Sequence, residues 1–163
     1  MKLWITTRFG SWVGLSVGCV LLALLVSCLP TFDQLNYTRK EPIKNDLIGT
    51  WVPDTPTLKL LRTRGGYDAS IQPKLILRDD GTFNLSRMPD WWSDSFGESH
   101  KGVEDFSGTW GTSAYADTGV WLLDLRARSG TRAANLIGQR APYRLAFIIG
   151  DPDNDISMTF EKQ

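Results

Sequence analysis

The chain has 163 residues, with 18 basic and 18 acidic side chains and a formal net charge of zero. Lys2 and Arg8 are the only charges in residues 1–27, so residues 28–163 hold 16 basic and 18 acidic side chains, a net −2. That balance excludes the strongly basic surface that nucleic-acid binding requires. The two cysteines are Cys19 and Cys28, so residues 29–163 have no thiol for a disulfide framework or a thiolate site.

Residues 1–27 read as a targeting segment. A basic start is followed by the uncharged run Trp12 to Val26, and Leu25-Val26-Ser27-Cys28 closes it. That tetrapeptide resembles the lipobox of bacterial lipoproteins. The resemblance implies a signal peptide over 1–27, cleavage before Cys28, and a diacylglycerol thioether with palmitate-type chains on Cys28. It also implies an address in the bacterial cell envelope. In a Gram-negative cell this is the outer membrane, because Leu29 and not an acid follows. Each buried CH₂ contributes about 0.8 kcal/mol, so two or three chains on one residue anchor permanently. An uncleaved anchor helix and an ordinary cleaved signal are the alternatives. The apolar run is about 18 residues when extended to Leu29 or Pro30, the lower limit for a span. Residues 28–45 lack periodicity and predict a flexible tether, with a reach of at most about 50–60 Å.

Residues 46–163 predict the folded domain, and in it alternation of period two dominates. Leu47, Gly49 and Trp51 start a first strand. A short helix is predicted near residues 56–64, capped by Asp54 or Thr55, with Pro56 in its first turn and Gly65-Gly66 at its end. Leu75 and Leu77, the turn Asp79-Asp80-Gly81, then Phe83 and Leu85 make the clearest hairpin. Phe106 and Trp110 flank Gly108 in a fourth strand. Trp121, Leu123 and Leu125 form a fifth, Tyr143 to Ile149 a sixth, and Ile156, Met158 and Phe160 a seventh. Seven strands with turn signals between them predict an all-β, small antiparallel barrel.

Two Gly-Thr-Trp motifs (Gly49–Trp51, Gly108–Trp110), the Asp-Gly-Thr-Phe hairpin (Asp80–Phe83) and a final Met-Thr-Phe-Glu-Lys (Met158–Lys162) occur in that order. The arrangement resembles the lipocalin-like domains of small bacterial lipoproteins. The resemblance covers most of residues 46–163 and implies a lipocalin-like barrel with one end plugged by Trp51. This chain has about seven predicted strands where that family has eight, and no paired cysteines.

The longest predicted irregular stretch, Met88 to Glu104, contains Trp91-Trp92, which read first as packing residues, one of them covering a barrel end, with exposure of one for a partner or ligand as the alternative. Trp91, Trp92, Tyr67 and Met88 are the candidate binding residues, with the 56–66 helix as part of the rim. Arg126, Arg128, Arg132, Arg140 and Arg144 cluster in and around a predicted 127–140 loop. They read as solvated, or as a surface for anionic lipid or an acidic partner. Asp151, Asp153 and Asp155 have the start of a calcium-loop spacing, but Ile156 and Lys162 stand where Gly and Glu are needed, so a hairpin turn is predicted. His100 lacks partners for a triad or a zinc site. Glu98, Glu104 and Asp105 read as an acidic loop. No metal or cofactor is expected, and no catalytic set is present. The expected function is non-enzymatic: binding of a small apolar ligand or an envelope protein through the barrel mouth. The alternative is a protein-interaction module of the inhibitor or immunity type with a filled barrel, or a domain with no ligand.

Overall fold

The computed structural model describes residues 36–64, 66–92, 102–151 and 156–163. The segment 1–27 read as a signal, together with Cys28, Glu98, His100, Asp153 and Asp155, lies outside the described residues.

The elements in order are α1 (Lys44–Leu47), β1 (Gly49–Pro53), α2 (Thr55–Thr63), β2 (Lys74–Leu77) and β3 (Thr82–Pro89). A 3-10 turn (Asp90–Trp92) follows, then β4 (Val103–Ala114), β5 (Trp121–Ala127), β6 (Gly130–Ile137), β7 (Arg144–Ile148) and β8 (Ser157–Lys162). Each strand pairs antiparallel with the next, and β8 returns to β1, so eight strands close a barrel. The interior follows the alternation. Leu75 and Leu77, Phe83 and Leu85, Leu123 and Leu125, Leu145 and Phe147, and Met158 and Phe160 are each at most 1% exposed.

The strand missing from the sequence reading is β6, which lies in the stretch expected to be an arginine-bearing loop over 127–140. Its in-facing residues are Arg132, Ala134 and Leu136, so small and charged side chains hide the period. Its ladder with β5 runs from Leu122–Asn135 to Ala127–Gly130. Gly130 takes φ +133° where the ladder turns.

The α2 helix forms as its caps dictate. The Asp54 carboxylate accepts from the Thr57 N–H at 2.8 Å, and Pro56 sits in the first turn, where its missing N–H costs nothing. The Thr57 hydroxyl accepts from the Thr159 N–H at 2.8 Å, which ties α2 to β8.

The tether expected over 28–45 is corrected from Asn36 onward. The Thr38 N–H donates to the Leu136 carbonyl and the Trp121 N–H to the Thr38 carbonyl, both at 2.8 Å. The Thr38 hydroxyl donates to the Gly138 carbonyl, and Thr38 is fully buried. The segment thus enters the seam where β5 and β6 separate. A single inserted residue needs no periodicity, so the sequence pattern did not mark it.

One barrel end is shut. The Trp51 indole N–H donates to the Leu47 carbonyl at 2.9 Å, which holds α1 across the opening. The Trp110 indole donates to the Arg78 carbonyl at 2.9 Å. Lys44 donates to the Asp79 carbonyl at 2.6 Å with its ammonium 5.9 Å from the Trp110 ring centroid. At this end burial, and then the Asp46 charge, pushes the Tyr143 phenol above its ordinary value near 10.

Two outcomes check this description. A Cβ on Gly108 would lie 2.0 Å from the Arg126 carbonyl oxygen, whereas one on Gly111 meets nothing within 4 Å. Gly108→Ala is therefore expected to cost about 2–3 kcal/mol and Gly111→Ala under about 0.5, read by urea unfolding. The fold favours neutral Tyr143, so its contribution is present below pH 10 and lost as pH rises through the raised value. The alkaline decline in melting temperature is expected to be shallower in Tyr143→Phe.

Candidate binding site

The other barrel end is a mouth, bordered by α2, the 3-10 turn and the β5–β6 hairpin tip. It is not level. The β4–β5 ladder begins only at Gly108–Ala127, so Val103–Ser107 of β4 extend past the hairpin with β3 as their strand neighbour among the described residues. A cavity of about 310 Å³ is lined by both sides of this step. β3 supplies Phe83, the 3-10 turn Trp92, β4 Glu104 and Phe106, and β5 Leu125 and Ala127, while Ser129, Gly130 and Arg132 come from the hairpin.

Alternation explains why these residues meet. Phe106, Leu125 and Arg132 occupy in-facing positions, and Leu125 is the direct cross-strand partner of Arg132. Glu104 faces the same way two residues beyond Phe106, opposite Met88. A β-bulge between Leu85 and Met88 sets that register: Arg87 takes φ +56°, and its N–H donates to the Asp105 carboxylate at 2.6 Å. The walls are apolar and aromatic below. Above them sit a half-buried carboxylate and an exposed guanidinium.

The four sequence candidates are all buried: Met88 0%, Trp91 2%, Tyr67 5% and Trp92 6% exposed. The packed reading of the paired tryptophans therefore holds, and the alternative, display of one of them for recognition, is corrected. Trp92 meets Phe106 edge-on at 5.0 Å and Phe147 at 5.7 Å, and it alone of the four lines the cavity. Trp91 stands edge-on to Tyr67 at 6.1 Å. The Tyr67 hydroxyl donates to the Asp90 carboxylate, whose other oxygen accepts from the Gly102 N–H at 2.8 Å. This clamp fixes both ends of the segment between β3 and β4. The Trp91 indole N–H is buried with no acceptor among the described residues. The α2 helix, expected at the rim, turns Thr57 and Leu61 inward and contributes nothing to the cavity lining.

The sequence reading missed Phe83, Phe106, Leu125 and Ala127 as lining, although it placed three of them on the right faces. Glu104 and Arg132 were read as surface charges. The signal that identifies them is parity: each continues an in-facing register past the last apolar residue. Among the described residues no three His, Cys, Asp or Glu side chains converge as a metal site would need.

Because both tryptophans are packed, Trp91→Ala and Trp92→Ala are each expected to lower stability by about 3–5 kcal/mol in thermal or urea unfolding. A displayed recognition pair would leave the melting temperature unchanged.

Compared with family models, curated proteins and solved structures, the chain matches none. Its functional reading therefore rests on the residues that build the cavity.

Proposed function

We propose that the chain is a bacterial envelope lipoprotein, anchored through acylated Cys28, whose barrel takes up one small apolar molecule at its mouth. The observation that carries this reading is the cavity of about 310 Å³ walled by Phe83, Trp92, Phe106 and Leu125. Ligand pockets run from about 300 to 1,000 Å³. This one stands at the small end, suited to a short chain or a ring system and too small for a two-tailed lipid. Among the described residues the polar members of the lining are Glu104, Arg132 and Ser129, a set that orients a ligand without transforming it.

A second reading, docking of an envelope protein, has one observation in its favour. The Val103–Ser107 overhang lies at the barrel margin with Val103 44% exposed, a place where a partner's extended segment can add as a strand.

Two measurements test the proposal. Metabolic labelling with an alkynyl fatty acid is expected to mark the wild type and not Cys28→Ser, which is also expected to leave the membrane fraction. Ala127→Phe places a ring in the cavity. It is expected to abolish uptake of an uncharged apolar probe while the melting temperature holds. Retained uptake would move the site elsewhere.

A further inference from the structure

The cavity is not uniformly apolar, and its charges have a pattern. The β5–β6 hairpin carries Arg126, Arg128 and Arg132, and no Asp or Glu occurs anywhere in residues 125–150. Of these arginines Arg132 has the in-facing register and lines the cavity, together with Ser129. Across the mouth stands Glu104, half-buried, on β4. The apolar surfaces of Phe83, Phe106 and Leu125 lie between and below.

We infer that the ligand is a single-charged anionic amphiphile: a short apolar body with a carboxylate-type head, the body on the aromatic floor and the head at Arg132 and Ser129. This rests on the small-ligand reading above and specifies its chemistry. Three physical points lead there. A guanidinium presents five N–H donors in a fixed fork, so it keeps donors for a carboxylate while engaged with a neighbour. The hairpin's arginines make the potential on that side of the mouth positive, which favours an anion over a neutral or cationic head. Glu104 then limits the charge. A second negative charge on the head would face a carboxylate that is already partly withdrawn from water, and like charges in such a setting repel. The site therefore excludes dianions such as phosphate monoesters by repulsion, while Arg132 attracts monoanions.

The test is isothermal titration of the full chain in zwitterionic phospholipid nanodiscs, with empty nanodiscs as reference. The probes are octanoate, octanol and octyl phosphate. Octanoate is expected to bind about tenfold tighter than octanol, the scale of one charge-assisted hydrogen bond at a partly exposed site. Arg132→Gln is expected to bring the two within about twofold, and Glu104→Gln to strengthen octyl phosphate more than octanoate. Neither residue belongs to the core, so both variants are expected to keep the wild-type melting temperature. If octanol binds as tightly as octanoate, or Arg132→Gln leaves their ratio unchanged, the head-group assignment is overturned while the apolar-ligand reading stands. Octyl phosphate binding as well as octanoate to the wild type overturns the selection against dianions. If neither octanoate nor octanol binds, the small-ligand reading falls and this inference with it.

Discussion

The hydrogen bond from the Trp51 indole to the Leu47 carbonyl makes the two ends of this barrel different. A closed sheet of eight strands has no intrinsic top or bottom. Here a large ring fills one end, and its single polar atom is satisfied by the last residue of α1. A buried indole N–H without an acceptor costs about 1–3 kcal/mol, so α1 and Trp51 stabilise each other across the opening. The Trp110 indole repeats the device against the β2–β3 turn. With that end sealed, the space left by incomplete packing collects at the other.

The mouth is shaped by a mismatch of strand lengths. β4 has 12 residues, while β5 has 7. The longer strand outruns its neighbour, and the step between them is where the cavity lies. Phe106 and Trp92, edge to face, keep this step from collapsing. The clamp of Tyr67, Asp90 and Gly102 holds the turn that delivers Trp92. The cavity thus depends on backbone geometry set outside its own lining.

Strand alternation was legible wherever large apolar side chains mark the period, as in Leu75–Leu77 and Met158–Phe160. The hairpin at Asp79–Gly81 and the caps of α2 were also legible, because their chemistry is local. β6 was not, since Ala134 and Arg132 carry no hydrophobic signal even though both hold in-facing register positions. The Thr38 insertion was hidden for a different reason: its bonds go to Trp121, Leu136 and Gly138, all far away in the chain. A loop-like composition left both packing and display open for the paired tryptophans, and the structure buries both rings. The candidate site was half visible. The faces of Phe83, Phe106 and Leu125 followed from parity, whereas nothing in the sequence brought Glu104 and Arg132 to one cavity.

The docking of Asn36–Arg39 into the β5–β6 seam also sets a length. Seven residues, 29–35, separate Cys28 from Asn36, the first described residue, which is bonded to the barrel. Whatever path they take, eight Cα steps span no more than about 29 Å. That is half the distance suggested by counting to Asn45. A barrel acylated at Cys28 would be confined to a thin layer of the space above its bilayer, and anything that met it would have to come within that layer.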